Sequence, residues 1–142
     1  MGQQQLLLII LVTIIVGIAT VVAINTFSSA ADSANLDAVR QDIASIAASA
    51  QGYYMKPDML GGGGKDFTDM TFENLAFAGT IVDGTPTQAY NENGTYVLSG
   101  GAQGQITITA YPSSQYGAND TPPVTNTSDP ISATIMPDQL SY

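Results

Sequence analysis

The sequence predicts an α+β protein, with a long N-terminal α-helix packed on a small antiparallel β-sheet. Three observations lead there. No charged side chain occurs from Met1 to Ala31, and nearly every residue from Leu6 to Phe27 is aliphatic. Leu36, Val39, Ile43, Ile46, Ala50 and Tyr53 then recur at spacings of 3 and 4, the period of one helical face. Beyond Pro57 the period becomes two, in short runs rich in β-branched and aromatic residues separated by Gly, Asn, Pro and Ser. Three segments follow: a hydrophobic helix over 1–27, its amphipathic continuation over 28–56, and a Gly/Thr/Ser/Asn-rich β domain over 57–142.

The first segment cannot rest in water as an isolated helix. About 20 apolar residues at roughly 1.5 Å each cross a bilayer core, and Leu6 to Phe27 reaches that length. A secretory signal peptide would want a basic start and an apolar run of roughly 7–15 residues. This chain starts Gly-Gln-Gln-Gln and its run is longer, so a retained segment is expected. An N-myristoylation signal would need Ser or Thr where Leu6 stands.

Between Ser28 and Lys56 there is no proline and alanine is the commonest residue, which favours continuation of the same helix. The stripe from Leu36 to Tyr53 is the face expected to pack on the sheet. Asp37, Gln41, Asp42, Ser45 and Ser49 are expected on the opposite, solvent face, with Asp37 and Arg40 close enough for a weak ion pair. Lys56-Pro57 supplies the stop, because the residue before proline is pushed out of the α region. Such a helix would run about 80 Å, longer than any bilayer is thick, so its second half needs another partner. Gly17 is a weak point within the apolar half.

Gly61 to Gly64 predict a flexible turn or a tight backbone passage. They are not a phosphate loop, since Asp66 follows Lys65 where Ser or Thr would be required. Asp66 to Asn74, carrying Phe67, Met70 and Phe72, is expected to cover the core as a short helix or a loop. Strands are expected in Phe77–Val82, Thr95–Leu98, Gln105–Tyr111 and Ile131–Met136, with Asn93-Gly94 and Gly100-Gly101 as turns. A Thr/Ser face should look outward. Tyr111 to Pro130 reads as a long surface loop.

Composition narrows the function. Twelve acidic residues, all at or beyond Asp32, oppose Arg40, Lys56 and Lys65, for a formal charge of −9. An acidic body without a basic patch is not expected to bind nucleic acid. The chain has no Cys and no His, which removes thiolate chemistry and the commonest transition-metal ligand. No nucleophile–base pair or metal cluster stands out, so no enzyme, cofactor or metal is expected. Asp66, Asp69 and Glu73 lack a calcium-loop pattern and read as a solvated acidic loop. Asn93, Asn119 and Asn126 each begin an N-glycosylation acceptor triplet.

An apolar N-terminal helix running without interruption into an amphipathic half, followed by a Gly-rich connection and a small antiparallel sheet, resembles the type IV pilin family. The resemblance covers most of the chain as an architecture, with unspecific motifs. It departs from the family in two places. Gln5 stands where members carry a glutamate that pairs with a neighbouring subunit's amino terminus, and the apolar half lacks the proline typical of the bacterial family. No short basic leader precedes the helix, as in a processed form.

The resemblance implies a structural subunit of an extracellular helical filament for surface attachment, motility or cell–cell contact. It would be inserted in the cytoplasmic membrane before a pilus assembly machinery extracts it. The implied filament core comprises Met1, Gln5, Leu6, Leu7, Ile10, Ile14, Gly17, Val21, Ile24 and Phe27. A secretion-system pseudopilin shares this architecture. A single-pass membrane anchor carrying an extracytoplasmic binding domain also explains the apolar run, and explains the amphipathic continuation less well.

Overall fold

A computed structural model describes residues 2–101, 104–114, 130–137 and 140–141 of the chain. One helix, α1, spans Gly2–Met55, and six strands follow: β1 (Thr80–Val82), β2 (Thr85–Tyr90), β3 (Gly94–Gly100), β4 (Ile106–Pro112), β5 (Ile131–Ile135) and β6 (Leu140–Ser141). The chain forms two compact units, Met1–Ala34 and Asn35–Tyr142. The part of α1 from Asn35 onward, which carries the apolar stripe, therefore belongs with the sheet.

In the second unit the six strands form one antiparallel sheet in sequence order, β1 to β6. The expected α+β layout is observed, helix on sheet. Val39, Ile43, Ile46, Ala47, Ala50 and Tyr53 are the buried residues of α1, so the predicted stripe is the packing face, with Ala47 added. Leu36, its first member, is only half-buried.

Burial alternates residue by residue along β4, where Ile106, Ile108, Ala110 and Pro112 point inward and Thr107, Thr109 and Tyr111 do not. That alternation is the pleat of a sheet with one covered face. Across the strands, Tyr96 stands in register between Ala89 and Ala110. Two alanines leave room for one large ring, which is fully buried and meets Phe77 edge-on at 5.2 Å between ring centres. Phe67, Met70, Phe72 and Leu75 are buried in the segment before β1, which covers the core as expected, with a 3-10 turn at Phe72–Asn74.

β2 is not among the expected strands, and it contains Pro86, a residue that a sheet interior does not favour. The proline is tolerated because β2 pairs with β3 only through Gln88, Ala89 and Tyr90, while a register shift in β1 falls between Ile81 and Val82. Pro86 lies outside those paired positions. Most of the expected 111–130 loop falls outside the described residues.

The glycine run is the tight passage, and it caps α1. Gly63 N donates to Tyr53 O at 2.9 Å, Lys65 N to Tyr54 O at 3.0 Å and Gly64 N to Lys56 O at 3.1 Å. These bonds satisfy carbonyls that a helix end leaves without partners. A Cβ on Gly63 would fall 2.0 Å from Asp66 O, and one on Gly62 would fall 2.2 Å from Lys56 O, so neither position admits a side chain. The helix stops at Met55, before Lys56-Pro57, as the proline requires.

Candidate assembly surface

In the first unit, the fifteen large apolar side chains from Leu6 to Phe27 are all more than half exposed, from 51% at Val12 to 78% at Phe27. Burying one such side chain contributes about 1.5–3 kcal/mol. Fifteen of them represent on the order of 20–40 kcal/mol of unrealised burial. This surface is therefore made for a non-aqueous environment. The helix is long and apolar enough to cross a membrane, with a mean hydropathy of 3.2 over its most apolar window, none of it buried.

The few polar side chains in this stretch fit the same environment. Thr13 Oγ1 donates to Ile9 O at 2.7 Å, Thr20 Oγ1 to Val16 O at 2.8 Å and Thr26 Oγ1 to Val22 O at 2.9 Å. Each hydroxyl is satisfied by the carbonyl one turn earlier and needs no water. A hydroxyl taken out of water without such a bond would cost several kcal/mol. Intrahelical bonds likewise satisfy the backbone, so α1 presents a nearly dry surface from Leu6 to Ile24.

Of the residues implied as filament core, Leu6, Leu7, Ile10, Ile14, Val21 and Ile24 all lie exposed on this surface, together with Phe27. Gln5 is exposed at the end of the first turn of α1, and a Cβ on Gly17 would meet nothing within 4 Å. The helix continues through Gly17 without a break. Met1 lies outside the described residues.

The second unit contains a polar cluster that sequence reasoning missed. Asp42 was expected on the solvent face. Three residues after Val39 is about 60° around the helix, which sets it beside the apolar stripe instead of opposite it. There Asp42 Oδ2 accepts three hydrogen bonds, from Tyr96 Oη at 2.6 Å, Asn91 Nδ2 at 2.8 Å and Asn93 Nδ2 at 2.9 Å. Asn35, two turns earlier on the same flank, donates to Asn93 O at 2.9 Å and to Ser113 Oγ at 3.1 Å. The spacing Asn35–Val39–Asp42–Ile46, at 4, 3 and 4, was the signal available in the sequence.

Partial burial opposes ionisation of Asp42, but the three donors from Asn93, Tyr96 and Asn91 prevail and hold its carboxyl below the usual range. Burial, and then the bond to and the charge of Asp42, push the Tyr96 hydroxyl well above its ordinary value, so it stays a donor. A cavity of about 700 Å³ opens beside this cluster, lined by residues including Asp42, Tyr90, Asn91 and Asn93. Its groups are already bonded to one another, so the cluster is a clasp between α1 and the β2–β3 turn.

The remaining expectations are placed as follows. Asn93 is half-buried with its amide nitrogen on Asp42, while Asn119 and Asn126 lie outside the described residues. Among the described residues no group of three or more acidic side chains could hold a metal ion. Asp66 Oδ1 accepts from Phe67 N at 2.7 Å, so it serves its own loop. Arg40 and Asp37 form the expected surface ion pair at 3.0 Å.

Comparison with protein-family models, with curated proteins and with solved structures found no match to this chain.

Proposed function

We propose that this chain is a structural subunit of an extracellular helical filament of the type IV pilus kind, assembled by packing its apolar N-terminal helices against those of other copies. One observation carries the reading: an all-round apolar helical surface, with its hydroxyls internally satisfied, continues as a single helix into the half that packs on an acidic domain. A membrane anchor needs only the first part of that arrangement. A filament subunit uses both, the first half becoming dry against like helices and the acidic unit remaining in water.

Assembly would be driven by the burial of Leu6 to Phe27, each fully covered aliphatic side chain contributing on the order of 1.5–3 kcal/mol. Contacts of one face with a different face of the next copy do not close, and they propagate as an open helix. Gln5 would hydrogen-bond a neighbouring amino terminus without the added strength of a full charge. In this reading the chain waits in the cytoplasmic membrane until an assembly machinery withdraws it.

The test is electron cryo-microscopy of fibres shed from cells that express the chain, with side-chain density read along the fibre core. Fibres whose core follows Leu6 to Phe27 support the proposal. Chain found only in the membrane fraction, with no fibre reactive to antibodies against residues 60–142, would refute it in favour of an anchored domain.

A further inference from the structure

Asn93-Gly94 is the sequence in which asparagine deamidates most readily, because glycine leaves the attacking backbone nitrogen unhindered. We infer that Asn93 is a latent deamidation site that the Asp42 clasp holds unreactive while the second unit is folded. In the reaction the Gly94 nitrogen, having lost its proton, bonds to Asn93 Cγ. The Cγ–Nδ2 bond breaks and ammonia leaves. Water then opens the resulting succinimide to an aspartyl or isoaspartyl residue, so no oxidant or further reactant is required.

The structure opposes each requirement of the first step. Gly94 N donates to Asn91 Oδ1 at 3.1 Å, which holds the attacking nitrogen in place. The leaving group, Asn93 Nδ2, donates to Asp42 Oδ2 at 2.9 Å. On the backbone, Asn93 N donates to Asn91 Oδ1 at 2.9 Å and Asn93 O accepts from Asn35 Nδ2 at 2.9 Å and from Ser113 N at 2.8 Å. Gly94 also begins β3, in register with Pro112, and a Cβ there would fall 2.3 Å from Tyr111 O, so the neighbouring strand hems this residue in. Bringing the Gly94 nitrogen onto Cγ requires these bonds to open together.

Deamidation is also self-propagating. It replaces an amide that donates to Asp42 with a carboxylate facing another carboxylate, which removes a hydrogen bond and adds a like-charge contact. A clasp that has opened long enough to react does not reform as before. The site thus records irreversibly whether this end of α1 has come away from the β2–β3 turn. This inference stands on the second unit alone and does not depend on the filament reading.

The test incubates the full chain in detergent at mildly alkaline pH and follows position 93 by peptide mapping that separates asparagine, aspartyl and isoaspartyl forms. The folded chain is expected to react at least about tenfold more slowly than the same chain in denaturant, a ratio equivalent to about 1.4 kcal/mol of local opening. Tyr96→Phe and Asp42→Asn, with circular dichroism confirming that each retains its fold, are expected to speed the reaction at Asn93 several-fold. Equal rates in the folded and denatured native chain would overturn the inference, whether or not either variant folds. Unchanged rates in a folded Asp42→Asn variant would overturn the role of the clasp.

Discussion

Replacing Asp42 by alanine tests whether the clasp stabilises the second unit. The variant removes the acceptor of three hydrogen bonds. Tyr96 is fully buried, so its hydroxyl loses its partner without gaining water, at about 1–3 kcal/mol. Asn91 and Asn93 are half-exposed and can turn to solvent, so each loses only about 0.5–1 kcal/mol. The expected loss is about 3 kcal/mol, or roughly 13 °C in Tm for a unit of this size. Asp42→Asn keeps an acceptor without the charge and should lose about half as much. Tyr96→Phe should lose about 1.5 kcal/mol, and in a double-mutant cycle with Asp42→Ala the pair should couple by about 1–2 kcal/mol. Thermal unfolding of the detergent-solubilised chain, followed by near-ultraviolet circular dichroism, reads the three single variants and the double variant. A loss below about 0.5 kcal/mol for Asp42→Ala, or strictly additive effects, would show the clasp to be energetically idle.

Other outcomes follow from the same geometry. The carboxyl of Asp42 is held below its unfolded value, so its contribution is complete above the ordinary carboxylate range near pH 4 and is lost as pH falls through the lowered folded value; acid titration of Asp42→Ala should be flatter there than that of the native chain. Gly63→Ala places a Cβ 2.0 Å from Asp66 O and should destabilise by about 2 kcal/mol or more, whereas Gly52→Ala meets nothing within 4 Å in a helical, exposed position and should stabilise by about 0.5–1 kcal/mol, both read by denaturant midpoint. Ile43→Ala, at a fully buried site, should lose about 2–5 kcal/mol and half-buried Leu36→Ala clearly less, in the same unfolding assay. Ile14→Asp should weaken membrane partition by about 3 kcal/mol and, on the proposed filament reading, impair polymer formation, while leaving the second unit's melting unchanged, as judged by flotation, electron microscopy and circular dichroism.

The legible part of this protein was the part written in periods. The helix from Gly2 to Met55, its packing stripe, its stop before Pro57 and the inward–outward alternation of β4 were all readable, because each is a repeat of 3.6 or 2 along neighbouring residues. The apolar surface from Leu6 to Phe27 was readable for the same reason, since composition alone says which environment it can tolerate. β2 was not readable. Whether Pro86 breaks a strand depends on where the neighbouring strands pair, and that is decided by register.

The sequence by itself thus determined that an apolar helix continues into an amphipathic one and that a half-covered antiparallel sheet follows. These are local preferences for burial and backbone shape, acting within a few residues. Only the tertiary structure decided what Asp42 does. Asp42 and Asp37 are alike as residues, yet one gathers donors from positions 49, 51 and 54 residues away while the other makes a surface pair with Arg40. Likewise, the glycine run becomes a helix cap only because the nitrogens of Gly63, Gly64 and Lys65 fold back on the carbonyls of Tyr53, Lys56 and Tyr54. A hydrogen bond's worth depends on who else is near and how much water remains, and neither is encoded in the order of neighbours along the chain.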